Sequence, residues 1–212
     1  MALFDQLAER YDSWFEGAGK AIFGLEVQAI RKLTVDLPRP WFEIGVGSGR
    51  FAEALGIPWG IDPSKKLGDM ARDRGIKVIE GKGEALPLPD NLLGSVFLFV
   101  TLCFVDDPDK VIAEVARVLK DGGFLVVGIV PAEFPWGRYY QELGRKKHPF
   151  YSHARFIDCR NVISLLKKHG FHVENKLSTL FSPPGKELSP EVLSGYQPDA
   201  GLVALSTQFV KK

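Results

Sequence analysis

The sequence predicts an α/β fold, in which helices cover both faces of a mostly parallel β-sheet. Apolar segments with the length of strands alternate along the chain with amphipathic helical patterns, as in proteins built on parallel sheets. The run at 96–100 is continuously apolar, which is typical of a strand buried on both faces. With 212 residues, 45% hydrophobic and 25% charged, the chain is consistent with one domain around a single core.

The first half of the chain predicts an N-terminal helical region followed by three strands. Residues 1–37 carry apolar side chains at helical spacing until Pro38 and Pro40 end the pattern. We predict strands at about 41–45, 57–61 and 77–80, with a helix directly after the first strand and another that starts at Pro63 or Ser64. A glycine-rich turn at 81–83 follows the third strand.

The second half continues the alternation. Asp107 and Pro108 predict the start of a helix, and the triplet at 121–123 predicts its end. We predict buried strands at 96–100 and 124–130, a helix at 160–170, a strand that begins at 171 and a final strand at about 202–210. An antiparallel last strand is consistent with this pattern, although the periodicity does not establish it.

A glycine loop after the first strand is the most informative feature of the sequence. Gly45, Gly47 and Gly49 lie between that strand and a helical pattern, which is the context of a nucleotide-binding loop. Glycine allows unusual backbone angles and a close approach of ligand to backbone. Glu43 would repel a pyrophosphate, whereas it would attract the ammonium and sulfonium of a cationic cofactor such as S-adenosylmethionine.

A second anchor lies at the predicted end of the second strand. Asp62 follows Gly49 by 13 residues, about the length of one helix and one loop. A carboxylate there can accept hydrogen bonds from both hydroxyls of a ribose. The alternative is that Asp62 only caps a helix or shapes a turn. Together with the glycine loop, the ribose role is the favoured interpretation.

Composition and charge argue against several classes of protein. A net charge of +1 does not suggest a nucleic-acid binder, and the basic run at 145–147 is explained by a solvated helix end. Two cysteines at this spacing indicate neither a disulfide framework nor a metal site. Because charged residues interrupt the N-terminal segment and no apolar run could span a bilayer, we expect a cytoplasmic protein without membrane contact.

Five motifs in order resemble the class I S-adenosylmethionine-dependent methyltransferases, in particular the small-molecule branch that includes ubiquinone-biosynthesis-like enzymes. The resemblance covers about 41–130, with a weaker echo at 11–15. Each motif alone is weak, but their common order and spacing are specific. The motifs are Glu43-x-Gly45-x-Gly47-x-Gly49, Gly60-Ile61-Asp62-Pro63-Ser64, the segment from Gly83-Glu84-Ala85 to Asp90, Val105-Asp106-Asp107-Pro108 and the segment from Arg117 to Gly123.

The resemblance implies a Rossmann-like three-layer sandwich, with a seven-stranded sheet whose last strand is antiparallel and an N-terminal helical cap. It implies S-adenosyl-L-methionine as cofactor, bound at the carboxyl ends of strands one to four. The residues implied in cofactor binding are Glu43, Gly45, Gly47, Gly49, Asp62, Pro63, Gly83, Glu84, Ala85, Thr101 and Leu102. Two positions depart from the family: Lys82 stands where an aspartate is common, and Leu93-Gly94 replaces a common Phe-Asp.

Residues outside this core are expected to bind the methyl acceptor. We divide the single domain into a helical cap at 1–38, a cofactor core at 39–130, an acceptor or lid insertion at 131–158 and a C-terminal part at 159–212. Aromatic side chains suit a planar or cationic acceptor, although they can equally cover the sheet. The substrate candidates are Tyr11, Trp14, Phe15, Phe134, Trp136, Tyr139 and Tyr140. The catalytic base is unknown, with Tyr11, His148 and His153 as weak candidates.

The predicted function is methyl transfer to a small-molecule amine, phenol or activated carbon by in-line displacement. Such a reaction depends on alignment and desolvation, so that no nucleophile or metal is required. The Asn/Asp-Pro-Pro-Tyr signature of enzymes that methylate nucleic-acid amino groups is absent at 101–104, where the sequence reads Thr-Leu-Cys-Phe. The alternatives are a protein that binds S-adenosylmethionine without turnover and, with less support, an NAD-dependent oxidoreductase. The oligomeric state is not predicted.

Overall fold

A computed structural model describes residues 3–211 and contains one eight-stranded mixed sheet. The strands are β1 (Trp41–Ile44), β2 (Trp59–Asp62), β3 (Lys77–Glu80), β4 (Leu93–Phe99), β5 (Leu119–Ile129), β6 (Phe171–Thr179), β7 (Val192–Ser194) and β8 (Leu202–Phe209). Their spatial order is β3-β2-β1-β4-β5-β8-β6-β7. Strands β1 to β5 are parallel to one another, whereas β8 pairs antiparallel with both β5 and β6.

Helices pack on both faces of this sheet, which gives three layers. The helices are α1 (Ala8–Trp14), α2 (Lys20–Leu33), α3 (Arg50–Leu55), α4 (Lys65–Asp73), α5 (Pro108–Val118), α6 (Pro135–Arg145) and α7 (Cys159–Lys168), with short 3-10 helices at Leu3–Gln6 and Tyr151–His153. One core cluster includes buried residues of α2, α3 and α4, and the other includes those of α5 and α7. Among residues 3–211, no helix is long and apolar enough to cross a bilayer.

The parallel register brings the ends of four strands to one edge of the sheet. Strand β1 lies between β2 and β4, with Glu43 paired in register with Gly60 on one side and Phe97 on the other. Strands β2 and β3 lie on one side of β1, whereas β4 and β5 lie on its other side. The order of the strands across the sheet therefore changes direction between β1 and β4. Ligands of open α/β sheets bind outside the carboxyl ends of strands at such a point.

The predicted fold class is confirmed, and the third strand has the predicted bounds. The second strand was predicted at 57–61 but spans Trp59–Asp62, so its predicted start is two residues too early and its predicted end one residue too early. Strand β4 begins at Leu93, so that the unusual Leu93-Gly94 pair belongs to the strand itself. A Cβ at Gly94 would lie 2.5 Å from the backbone of Pro38, which explains why glycine stands there.

Two sequence predictions need correction. Within residues 3–211 the sheet has eight strands and not seven, because Val192–Ser194 adds a short antiparallel strand at the edge beside β6. The triplet at 121–123 does not end a helix. Helix α5 already ends at Val118, and β5 starts at Leu119, which pairs with Leu93 before an irregularity in the ladder. The glycines therefore lie within the early part of a long strand.

Candidate functional site

The loop that follows β1 is shaped by glycines in left-handed backbone conformations. Gly45 and Gly47 have φ values of 72° and 53°, which side chains with a Cβ rarely adopt. The amide of Gly45 donates to the carbonyl of Ile61 at 2.8 Å, which fastens the loop to β2. A Cβ at Gly45 would overlap the side chain of Thr101, the residue that follows β4 by two positions. The loop is thus pressed between the ends of β2 and β4.

Asp62, at the end of β2, is hydrogen-bonded to the glycine loop. Its Oδ2 accepts from the Gly47 amide at 2.9 Å, and its Oδ1 accepts from the Ser64 amide at 2.8 Å. Asp62 is buried, with only 7% of its surface exposed. Burial raises the pKa of Asp62 to about 6, although the two amides oppose this change. The carboxylate therefore holds the loop in shape and still has acceptor capacity for a ligand.

Glu43, in β1, is a buried carboxyl group with an unused oxygen. The residue is 1% exposed, and its Oε2 has no hydrogen-bond partner among the described residues. Burial and the neighbouring Asp62 raise the pKa of Glu43 well above its usual value. A buried polar atom without a partner is costly and is a mark of a ligand site. The chemistry that would complete this site is a hydrogen-bond donor or a cation.

The loop after β3 is tied to the loop before α5. The Glu84 Oε1 accepts from the amides of Asp106 and Asp107 at 2.8 and 3.3 Å, and Lys82 forms an exposed ion pair with Asp106 at 2.7 Å. A Cβ at Gly83 would lie 2.6 Å from the side chain of Ile44. Gly83 and Glu84 therefore have packing and clamping roles, and Ala85 is exposed beside them.

The end of β4 contains a backbone feature that the sequence did not suggest. Val100 has a φ of 52°, an unfavourable conformation for a β-branched residue that is found where the surroundings enforce it. Leu102 and Cys103 are buried behind it and line a small apolar cavity together with Val130. Its volume of about 10 Å³ is room for one water molecule. Burial raises the pKa of the Cys103 thiol to about 12, so this group stays a neutral thiol.

The N-terminal segment covers the glycine loop. The Tyr11 hydroxyl lies 3.4 Å from the position that a Cβ of Gly47 would take. Burial and the nearby carboxylates of Asp62 and Glu43 raise the pKa of Tyr11, so that its phenol is neutral. The Asp5 Oδ1 accepts from the hydroxyl of Ser64 at 2.7 Å, next to Asp62. Residues far apart in sequence thus meet at one edge of the sheet.

Comparisons with known proteins decide the family. A methyltransferase domain model matches residues 42–127. A crystal structure from Thermotoga maritima, described as an S-adenosylmethionine-dependent methyltransferase and possible histamine N-methyltransferase, is 36% identical, covers 97% of this chain and 98% of its own, and has a TM-score of 0.88. An uncharacterized protein of Methanocaldococcus jannaschii is 38% identical over 99% of this chain and 100% of its own length.

The chain belongs to the class I S-adenosylmethionine-dependent methyltransferases. It also resembles the ubiquinone/menaquinone biosynthesis C-methyltransferase of Serratia proteamaculans, with 39% identity over 71 residues that cover 31% of this chain and 28% of the relative. The predicted family, enzyme class and cofactor are therefore confirmed. The methyltransferase uses S-adenosylmethionine, which supplies a methyl group activated by a sulfonium.

The residues present fit this cofactor. The unused Oε2 of Glu43 and the carboxylate of Asp62 lie beside a loop whose three glycines have no side chains to block a ligand. Glu43 would hold the cationic amino acid part, Asp62 the ribose, and the backbone of Gly45 and Gly47 would allow close approach. The exposed Pro63, the helix-capping Gly49 and the loop at 83–85 lie around the same edge. The binding roles of these residues, like those of Thr101 and Leu102, stay predictions.

The predicted acceptor residues are only partly brought together. Tyr11 and Tyr140 belong to one aromatic cluster, in which Tyr140 stacks on Tyr151 with ring centroids 4.3 Å apart. His148 also stacks on Tyr151, with ring centroids 4.6 Å apart. Burial and Arg10 lower the pKa of His148, so its imidazole is neutral near pH 7. Tyr139 and His153 are exposed.

The remaining aromatic candidates pack in the core. Phe15 and Trp136 are buried in the cluster that includes α2, and the Trp136 indole donates to the Ser182 carbonyl at 2.8 Å. Trp14 packs on Gly19, and Phe134 packs against Tyr196 with centroids 5.3 Å apart. These contacts are sufficient reasons for aromatic side chains at these positions. A substrate role for them stays a prediction without support from their placement.

Several residues near the site were missed by the sequence analysis. Phe4 and Phe150 stack at 5.9 Å and join the N-terminal segment to the insertion at 131–158. Glu26 is a buried carboxyl group on α2. In the sequence, a single glutamate beside Val27 is typical of the polar edge of an amphipathic helix, so only its burial in the fold distinguishes it.

Proposed function

We propose that this methyltransferase methylates a small molecule that binds beyond the carboxyl end of β4. The supporting observation is an aromatic cluster that joins the N-terminal segment to the segment at 131–158 over this edge of the sheet. Tyr11 lies between this cluster and the glycine loop. The acceptor would lie on the cluster side of Tyr11, and the methyl donor on the loop side.

In this proposal the chain's own residues align the reactants and exclude water. Tyr11, Phe150 and Tyr140 present apolar ring surfaces, which displace water from an acceptor and strengthen the electrostatic interactions that remain. The neutral phenol of Tyr11 can hydrogen-bond to either ligand without adding a charge. The reaction demands no side-chain nucleophile, because in-line displacement requires orientation above all.

Among the acceptor classes predicted, amines have the strongest support. The Thermotoga maritima protein described as a possible histamine N-methyltransferase is 36% identical along nearly the whole chain. A cation or an aromatic amine also fits a cluster of tyrosines better than a purely aliphatic acceptor does. We retain the division into a cap at 1–38, a cofactor core at 39–130, an acceptor insertion at 131–158 and a C-terminal part at 159–212 as part of this proposal.

The proposal is tested by binding followed by turnover. Calorimetry with S-adenosylmethionine, S-adenosylhomocysteine and NAD is expected to show micromolar affinity for the two sulfur compounds and none for NAD. The protein is then incubated with methyl-labelled S-adenosylmethionine and matched sets of amines, phenols and carbon acids. Label transfer to a small molecule supports the proposal. Cofactor binding without label transfer to any set would favour the non-catalytic alternative instead.

A further inference from the structure

The first 3-10 helix, Leu3–Gln6, contacts the segments that follow two different strands. The ring of Phe4 meets that of Phe104, which follows β4, with centroids 5.3 Å apart. The carboxylate of its neighbour Asp5 accepts from the hydroxyl of Ser64, which follows β2, at 2.7 Å. Because β1 lies between β2 and β4 in the sheet, these two consecutive residues bridge the glycine loop that follows β1. The helix therefore lies across the edge of the sheet where the cofactor is predicted to bind.

Asp5 is anchored beside the carboxylate that is predicted to hold the ribose. Its Oδ1 also accepts from the Lys66 amide at 3.3 Å, in the first turn of α4. Ser64, the N-cap of α4, donates its own amide to Asp62 at 2.8 Å. A carboxylate at the start of a helix is favoured by the unpaired amides there and by the helix dipole. Ser64 thus connects the first 3-10 helix to the carboxylate of Asp62.

Helix α1, which follows the 3-10 helix, is held more firmly. The carboxylate of Asp12 accepts from Arg50 at both oxygens, at 2.8 and 2.6 Å, and its Oδ2 also accepts from Arg74 at 2.8 Å. These three side chains are only 16–18% exposed. Charge-assisted bonds from two arginines are stronger than the bonds that Asp5 Oδ1 accepts from one hydroxyl and one amide. The anchor at Asp5 is therefore the one that yields first.

Leu7 separates these two unequally held parts. It is the single residue between the 3-10 helix and α1, and its φ of −112° and ψ of 5° lie outside the helical range. Residues at the ends of elements commonly act as hinges. A 3-10 helix of four residues has little stability of its own, so its position depends on its anchors. It can therefore turn about Leu7 while α1 stays in place.

We propose that Leu3–Gln6 is a hinged flap over the cofactor site, and that Asp5 is the latch that sets the rate of cofactor exchange. The inference rests on the predicted cofactor position beside Glu43 and Asp62, and it does not depend on which acceptor is methylated. The closed flap retains the cofactor and excludes water, whereas the open flap lets S-adenosylhomocysteine leave and S-adenosylmethionine enter. Asp5 is a positioning residue, because it acts through Ser64 and the flap.

A latch of this kind changes rates of binding without changing affinity. Loss of the Asp5 carboxylate raises the open fraction to the same extent in the free and the bound protein, so that association and dissociation both become faster. In Asp5→Ala we expect both rate constants for S-adenosylhomocysteine to rise about tenfold, in keeping with a lost hydrogen bond to a charged group. The Kd should stay within about threefold. Surface plasmon resonance measures both rate constants, and calorimetry measures Kd.

Two further variants make this test specific to the flap. Gln6→Ala changes an exposed side chain on the same 3-10 helix and should leave both rate constants unchanged. Leu7→Gly keeps the latch and loosens the hinge, since glycine has more backbone freedom and is accepted at helix N-caps. It should also accelerate association and dissociation together, and it replaces Asp5→Ala as the test if that variant does not fold.

Two results would overturn the latch. The first is unchanged rate constants in Asp5→Ala, or in Leu7→Gly where Asp5→Ala does not fold, since the flap would then not limit exchange. The second is faster dissociation of Asp5→Ala with an equal loss of affinity, because Asp5 would then bind the cofactor directly. Failure of the wild-type protein to bind S-adenosylhomocysteine would instead overturn the predicted cofactor site. A failure to methylate small molecules would affect only the proposed function.

Discussion

At the scale of single residues, Asp62 offers a direct test of the cofactor site. Asp62→Asn keeps the size of the side chain and removes its charge, so charge-assisted hydrogen bonds to a ribose are weakened. We expect the Kd for S-adenosylhomocysteine to rise roughly 10- to 100-fold, as for the loss of one strong hydrogen-bond pair. Calorimetry measures the change. Asp73→Asn, an exposed position on α4, is the control, and equal affinities in both variants would contradict the ribose role.

Glu26 gives a prediction about stability and pH. Its pKa is about 8 in the folded protein and 4.5 as an ordinary glutamate, so the folded state retains a proton that the unfolded state loses between these values. The contribution of the protonated side chain is complete below pH 4.5 and is lost as the pH rises toward 8. Glutamine cannot ionise, so its contribution does not change with pH. The free energy of unfolding of Glu26→Gln should therefore rise relative to that of the wild type by about 1.4 kcal/mol per pH unit across this window.

Urea unfolding of both proteins at pH 5, 6, 7 and 8 measures this difference. The gap in unfolding free energy should widen in favour of Glu26→Gln by about 4 kcal/mol between pH 5 and pH 8. Glu174→Gln should show no such trend, because that side chain is exposed. Parallel stability curves for Glu26→Gln and wild type would mean that Glu26 ionises in the folded protein as it does in the unfolded chain.

The sequence reveals some residues of the candidate site and hides other features of the structure for physical reasons. Glu43 and Asp62 were identifiable because each lies at a fixed distance from a glycine loop in a strand–turn–helix context. Glu26 was not, since a polar residue on an amphipathic helix is ordinary until the fold shows that it is buried. Val100 was also hidden, because its left-handed backbone angle depends on the packing around it and not on its side chain.

At the scale of elements, Asp12 determines how helix α1 is held. Its Oδ1 accepts from the Arg50 Nε at 2.8 Å, and its Oδ2 accepts from Arg74 at 2.8 Å, so one carboxylate joins α1 to the end of the glycine loop and to α4. Partial burial opposes ionisation, but the hydrogen bonds from both arginines lower the pKa of Asp12 to about 2. A seven-residue helix is not stable alone, so this contact is essential for its docking.

Asp12→Asn should therefore destabilise the protein by about 1–2 kcal/mol at pH 7, the size of a partly buried ion pair with hydrogen bonds. Because the folded pKa is lowered, this contribution is present above pH 3.8 and is lost as the pH falls toward 2. The destabilisation by Asp12→Asn should shrink in the same direction, as measured by denaturant unfolding at pH 7 and pH 3. Glu9→Gln, exposed on the same helix, is the control. A destabilisation independent of pH would argue against an ionic origin.

The elements were predictable where local pattern and tertiary packing agree. β3 was found with its bounds because a polar helix end and a glycine turn flank it. The start of β5 was missed, since Asp121-Gly122-Gly123 resembles a helix stop while pairing between Leu119 and Leu93 extends the strand across it. β7 has only three residues and forms by pairing with β6. A segment this short has too few residues for an alternating pattern, so sequence periodicity could not predict it.

At the scale of the whole molecule, the N-terminal segment connects the proposed cofactor site with the proposed acceptor site. Tyr11 contacts the glycine loop side, and through Phe150 it contacts the insertion at 131–158. Asp5 binds the start of α4 beside Asp62, and Phe4 stacks on Phe150. A ligand that fixes any one of these contacts should therefore order the others, because Phe4, Asp5 and Tyr11 lie in two consecutive short helices, Leu3–Gln6 and Ala8–Trp14.

Hydrogen exchange can detect this coupling. We expect S-adenosylhomocysteine to slow amide exchange at least about tenfold not only at 45–49 but also at 8–15 and 148–153, since a docked α1 is stabilised by every contact that the ligand reinforces. Strand β6, on the far side of the sheet, is the internal control. In Asp12→Asn the protection at 148–153 should be lost while that at 45–49 remains. Protection confined to 45–49 in the wild type would show that the N-terminal segment does not link the sites, and acceptor binding would then be independent of the cofactor.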